Sequence, residues 1–123
     1  MGLYLSPNQH MEEEGNSITG FRLLEELADK PTFNANLLDY LLAHKDLIPE
    51  ELKADEHGQI RYTCFWGTIY WHEYRGQSYP IVRSLYWATN DWISVARWLG
   101  HEFPNFAPAT MLIDPPTSLE FSI

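Results

Sequence analysis

One stretch of the chain, residues 59–99, constrains the fold more than any other. It holds all five Trp, five of the seven Tyr and Phe65. Such aromatic and β-branched side chains favour strands, because they fit a pleated and half-buried surface. Turn chemistry interrupts the stretch at 74–78 and at 89–91. We therefore predict three antiparallel strands, over about 59–72, 79–88 and 92–99.

Two shorter apolar patterns precede this stretch. From Asn16 and Ser17, which are good N-cap types, apolar residues recur at three- and four-residue steps until Pro31. A leucine stripe follows behind a cap at Thr32 or Asn34 and ends near residue 44. The sequence thus predicts an α+β fold, with two N-terminal helices packed on one face of a three-stranded antiparallel β-meander. Residues 109–113 are expected to add a fourth strand or a turn.

The length of 123 residues predicts one domain. We expect residues 1–16 to form a flexible acidic arm, since they are polar and contain the run Glu12, Glu13 and Glu14, and residues 17–123 to form a single α+β domain. The alternative is that residues 3–5 add an edge strand while the glutamate run contacts a basic partner.

Alternation of side chains along the predicted strands assigns two faces to the sheet. The face richer in aliphatic residues is expected to meet the helices. The opposite face becomes an aromatic ridge, which we predict to bind a partner or ligand. The ridge consists of Phe65, Trp71, Tyr86, Trp92 and Trp98. A slip of one residue at Asn90 would exchange the faces of the third strand.

In this register Arg83 and Arg97 lie opposite each other on the packed face. Like charges that face each other across strands are unfavourable, so an acid must lie between them. Glu25, Glu26 or Asp39 can supply it from the helices and give a structural ion cluster. We favour this structural cluster, and a pocket for a small anion or carboxylate is the functional alternative.

The charge of the chain is strongly uneven. Its net value is −9, and residues 1–58 carry twelve acids against four bases, whereas residues 59–123 carry five acids against four bases. A field of this sign repels phosphate backbones, which disfavours nucleic acid as a partner. A basic protein is the macromolecular partner that this charge favours.

The single cysteine, Cys64, excludes an internal disulfide and fits a reducing compartment. No apolar run approaches the length of a membrane span, and the N-terminus lacks the pattern of a signal peptide. We therefore expect a cytoplasmic protein without a membrane partner.

Sequence motifs for catalysis, cofactors or metals are not found. The five histidines lack the spacing of zinc motifs, and no glycine-rich phosphate loop, nucleophile elbow or Cys-x-x-Cys is present. Cys64 alternates with aromatic residues and is expected to be an inert buried thiol. We predict no enzyme activity, no cofactor and no metal.

The strings Phe-Trp-Gly-Thr at 65–68 and Val-Arg-Ser-Leu-Tyr-Trp at 82–87 carry a resemblance. In this order they resemble short bacterial proteins of unassigned function that carry Phe-Trp-Gly-Thr and Val-Arg-x-Leu-Tyr-Trp. The resemblance covers about residues 59–113 and implies no activity.

Two functions remain in view. The first is a non-enzymatic acidic interaction protein, of the inhibitor, immunity or nucleic-acid-mimic type, that docks on a basic partner through acidic and aromatic surfaces. The alternative is a carbohydrate or small-ligand binding module that uses the aromatic sheet face. In either case we expect a monomer or a homodimer, and a homodimer that buries the ridge is a third interpretation.

Overall fold

The computed structural model describes residues 2–7, 9 and 18–112. Within them are two α-helices, two 3-10 turns and eight strands. The helices are α1 (Gly20–Glu26) and α2 (Ala35–Ala43), and the 3-10 turns are Lys45–Leu47 and Glu50–Leu52. The strands are β1 (Gly2–Tyr4), β2 (Ile18–Thr19), β3 (Thr63–Cys64), β4 (Tyr70–Tyr74), β5 (Gln77–Ala88), β6 (Asp91–Trp98), β7 (Glu102–Phe103) and β8 (Ala109–Met111).

The long strand β5 organises a mixed six-stranded sheet. β6 pairs along one side of β5, while β3 and β4 share its other side. The sheet continues from β3 through β8 to β1, and the contact between β3 and β8 is parallel. A separate ribbon joins β2 to β7. The predicted three-stranded meander is therefore wrong, because distant strands from both ends of the described chain complete the sheet.

The helices pack on opposite faces of this sheet, which corrects the prediction that both cover one face. β5 shows why: Val82 and Leu85 have opposite orientations, and both are completely buried. Val82 belongs to a core with α1 and Phe103, whereas Leu85 belongs to a core with α2 and Trp92. We call these faces the α1 face and the α2 face.

The third predicted strand has the opposite orientation to the one expected. Ala88 pairs with Asp91, so the loop holds two residues, Thr89 and Asn90, instead of three. This is the one-residue slip that exchanges faces. Thr89 has a φ of +60°, and the amide of Asn90 donates to the carbonyl of Ala88, which closes a strained γ-turn.

The string at 65–68 has a structural role. Phe65 lies in the core of the α2 face and the next residue, Trp66, lies in the core of the α1 face. Gly67 passes so close to Asn34 that a Cβ would lie 2.9 Å from its backbone. Thr68 Oγ1 accepts a hydrogen bond of 3.0 Å from the amide of Ala35. These residues therefore fix the N-terminus of α2 to the sheet.

The beginning of the chain is part of the sheet. Residues 2–4 form β1, at the place where the sequence offered an edge strand as the alternative. Gln9 is completely buried, and its side-chain amide donates to the carbonyls of Pro104 and Ala107. The remainder of the predicted arm, with Glu12, Glu13 and Glu14, lies outside the described residues.

Candidate functional site

Among the residues that the structure describes, α2 covers only part of the α2 face. α2 covers the end of the sheet near Leu85 and Trp92, and the other end forms an open groove of about 480 Å³ between β4, β5 and β6. The groove is lined by Tyr70, Trp71, His72, Ile81, Arg83, Ser94, Val95 and Ala96. Because Tyr70 pairs with Ile81 and Arg83 pairs with Ala96, the side chains of these four residues point to the same side.

One wall of the groove belongs to a hairpin that extends beyond the core. Arg75 and Gly76 both have positive φ and form the two-residue turn between β4 and β5. All residues from 71 to 78 are exposed. Trp71 exposes 69% of its surface and Tyr74 exposes 54%. Large aromatic side chains are therefore offered to solvent on both faces of the hairpin.

Arg83 forms the polar floor of the groove. Its Nη1 donates to Asp39 on α2 at 2.9 Å, and its Nε donates to Ser94 Oγ at 3.4 Å. Burial alone would lower the pKa of Arg83, but hydrogen bonds to Tyr70 and Asp39 outweigh burial and hold the pKa above its ordinary value. The guanidinium is thus permanently charged and oriented, beside a carboxylate that remains more than half exposed.

A second aromatic group lies at the end of the groove. The ring of Trp98, which is 38% exposed, meets the rings of Tyr79 and His101 edge-on, at centroid distances of 5.6 Å and 5.3 Å. Trp98 also covers Gly100, where a Cβ would lie 2.4 Å from the indole. These contacts hold the indole in place while leaving part of its surface accessible.

The aromatic ridge expected from the sequence is divided. Phe65 and Trp92 are buried in the core, so their rings contact no solvent that a partner would displace. Tyr86 is half-buried and stacks on Tyr62 at 4.7 Å. The two exposed indoles, Trp71 and Trp98, lie on opposite faces, because Trp71 pairs with Pro80 and Trp98 pairs with Ile81.

Arg83 and Arg97 do not face each other. Arg83 pairs with Ala96 and Arg97 pairs with Val82, which places the two guanidinium groups on opposite faces. Arg97 donates to the carbonyl of Glu102 and lies over the ring of Phe103. Of the three acids that the sequence offered, Asp39 is the one that pairs with Arg83.

Of the residues that line the groove, Trp71 alone was a predicted site residue. Tyr70 in the lining was missed, and so were Tyr79 and Asp39 beside it. Two sequence signals mark them. Arg75-Gly76 is a two-residue hairpin signal, and with it the alternation along β4 and β5 places Tyr70 and Tyr79 on the α2 face. The second signal is the acid Asp39 within the leucine-rich stretch of α2, one of the three acids that the sequence offered as a partner for Arg83.

An acidic segment lies on the same side of the sheet as the groove. From α2 to the end of the 3-10 turns and the following loop, residues 35–56 carry six carboxylates against two lysines. Both lysines are engaged: Lys45 pairs with Asp91 at 2.8 Å and Lys53 pairs with Glu50 at 2.7 Å. This segment packs on the α2 face, so its negative charge lies on the same side of the sheet as the groove.

The described residues offer little reactive chemistry. Cys64 is completely buried, and burial raises the pKa of its thiol to about 12. In residues 2–7, 9 and 18–112, no group of three or more His, Cys, Asp or Glu has the geometry to hold a metal ion. The helices found in this part of the chain are too short to cross a bilayer.

Comparisons of the chain with protein-family models, with curated proteins and with solved structures each found no match. The candidate site is therefore defined by the geometry of the groove and the hairpin.

Proposed function

We propose that the chain is a non-enzymatic interaction domain of the cytoplasm that binds a basic protein through the hairpin β4–β5 and the groove beside it. One observation carries the proposal: Trp71 exposes 69% of its surface on a hairpin whose residues 71–78 are all exposed. Trp71 lies opposite Pro80 on the neighbouring strand, and this pairing leaves most of the indole in water.

The side chains around the groove have the composition of a protein-binding hot spot. Trp, Tyr and Arg are the residue types that dominate binding energy at protein interfaces. Here Tyr70 and Trp98 offer ring surface on the same face as the fixed guanidinium of Arg83, while Trp71 and Tyr74 offer ring surface on the two faces of the hairpin. The groove is shallow and open, which suits a segment of a protein surface better than a small molecule that must be enclosed.

The charge beside the groove supports a basic partner. The carboxylates of residues 35–56 lie on the same side of the sheet, and the exposed Asp39 lies at the edge of the groove. A negative field of this kind accelerates association with a positively charged protein and repels nucleic acid and anionic membranes. The rings then supply the contacts that slow dissociation.

A carbohydrate or other small ligand remains the second candidate, because Tyr70 offers a ring face beside the hydrogen-bonding groups of Arg83, Asp39 and Ser94. Sugars bind to such combinations of an aromatic face and polar groups. A change of Trp fluorescence during titration with a sugar panel, lost in Trp98→Ala, would favour this candidate.

The proposal is tested by affinity capture from a lysate of the source organism, followed by a binding assay with the purified partner. We expect Trp71→Ala combined with Tyr74→Ala to weaken binding at least tenfold, with unchanged thermal stability of the core. Phe21→Ala is the matched control, since Phe21 is 47% exposed on α1, outside the hairpin and the groove.

The dissociation constant should also rise with salt concentration if the partner is basic. A partner that binds the double variant as tightly as the natural chain would refute the proposed site. A partner whose affinity is independent of salt would refute the electrostatic part.

A further inference from the structure

β6 lies at an edge of the sheet formed by the described residues. Among the residues that the structure describes, β5 is the one strand paired with β6, so the other side of its eight residues has no β partner. Natural edge strands are commonly protected by lysine, proline, bulges or short length. β6 has none of these, and it exposes Ile93 and Val95 by 42% and 41%. We propose that a second copy of this chain pairs with β6 in antiparallel orientation and joins two six-stranded sheets.

Alternate residues of β6 direct their backbone N–H and C=O groups toward β5 or toward the outer edge, and this alternation identifies the groups that a second strand would meet. The amide of Leu99 donates to Pro80, and Ser84 Oγ donates to the carbonyl of Val95, so odd-numbered residues of β6 face β5. Even-numbered residues therefore direct their backbone groups outward. Ser94 and Ala96 offer both amide and carbonyl, whereas the amide of Trp92 donates to the side chain of Asp91.

One antiparallel register makes the strand complementary to itself. A twofold axis at Ser94 places Ser94 opposite the partner's Ser94. Even-numbered residues of one strand then face even-numbered residues of the other, and these are the residues whose backbone groups point outward. The same axis also places Ile93 opposite the partner's Val95, a pair that occurs twice, with both residues on the α1 face. Apolar pairs that face each other across strands are favourable.

The net charge of −9 on each copy opposes this association. Salt screens that repulsion, so dimerisation should strengthen as salt concentration rises. Binding of a basic partner to the hairpin β4–β5 should weaken under the same change. The two proposals therefore respond to salt in opposite directions, and either can fail while the other holds.

Disulfide trapping tests the register. In an antiparallel pair that exchanges hydrogen bonds, opposite Cα atoms lie about 5.5 Å apart, which a disulfide can span. We expect Ser94→Cys to form a covalent dimer under mild oxidation, detected by non-reducing electrophoresis. Ala96→Cys is the matched control, because the axis at Ser94 places the two copies of residue 96 roughly 14 Å apart along the strands. The natural Cys64 is buried and does not compete.

Charge exchange provides a second test that needs no cysteine. Sedimentation should show that Ile93→Glu and Val95→Lys each weaken the dimer about tenfold, since each places two charges opposite apolar residues. The double variant should recover the dimer, because Glu at 93 then faces Lys at 95 of the partner subunit. A natural chain that stays monomeric at high salt and high concentration overturns the proposal. Equal trapping of the two cysteine variants, or no recovery in the double variant, overturns the register.

Discussion

The side chain of Gln9 fixes the start of the chain to the domain, and its removal should be costly. Gln9 is fully buried; its Oε1 accepts from the amide of Ser6 at 2.9 Å, and its Nε2 donates to Pro104 O at 3.1 Å and Ala107 O at 3.0 Å. Three hydrogen bonds at about 1 kcal/mol each give about 3 kcal/mol. Gln9→Ala should therefore lower the free energy of unfolding by about 3 kcal/mol, a large part of the stability of a domain of this size.

Urea unfolding followed by Trp fluorescence measures this loss, because Trp66 and Trp92 are buried in the folded state. Gln59→Ala is the control: Gln59 is exposed, and its replacement should change the free energy of unfolding by less than about 0.5 kcal/mol. A loss below about 1 kcal/mol for Gln9→Ala would refute the reasoning, since the first residues would then contribute little to the fold.

Gln9→Glu tests the hydrogen bonds of this side chain separately from its volume, because glutamate has nearly the same size as glutamine. The carboxylate keeps an acceptor toward Ser6 but faces the carbonyls of Pro104 and Ala107 without a proton to donate. Burial and these acceptors should raise the pKa of the new carboxyl in the folded state. The variant should therefore be least destabilised below the pKa of an unfolded glutamate, and its destabilisation should increase as the pH rises through the folded pKa.

Three further predictions follow from local geometry. Thr89→Gly should raise the free energy of unfolding by up to about 1 kcal/mol in thermal or urea unfolding, because glycine accepts the positive φ of the γ-turn, and an equal or lower stability would contradict the strain. Thr68→Val should cost about 1–2 kcal/mol by loss of the hydrogen bond to the amide of Ala35, and a neutral effect would show that the bond does not stabilise α2. Cys64 should react with a thiol reagent at pH 8 roughly a thousandfold more slowly than a free cysteine, and fast labelling of the folded chain would contradict its burial and its pKa of about 12.

Local signals in the sequence located several elements correctly. Asn34 was one of two predicted caps, and α2 begins at the next residue because the Asn34 side chain accepts from the amides of Asn36 and Leu37. The final strand Ala109–Met111 falls within the predicted range of 109–113. In each case the information lies within a few neighbouring residues.

The faces and the full sheet could not be predicted for physical reasons. A β-branched residue rarely adopts positive φ, so a two-residue loop at Thr89 was not expected, and the loop length decides which way β6 faces. The pairing of β1 with β8 joins residues about a hundred positions apart, and no local pattern encodes it. The burial of Trp92 follows from the first feature, because the two-residue loop turns its ring into the core of the α2 face.

Hydrogen exchange measured by mass spectrometry, on the free chain and on its complex with the captured partner, tests the binding surface most directly. The account predicts slower exchange on binding in the hairpin of residues 70–79, where the aromatic side chains are exposed. Unchanged exchange in that hairpin, with new protection confined to other parts of the chain, would contradict it.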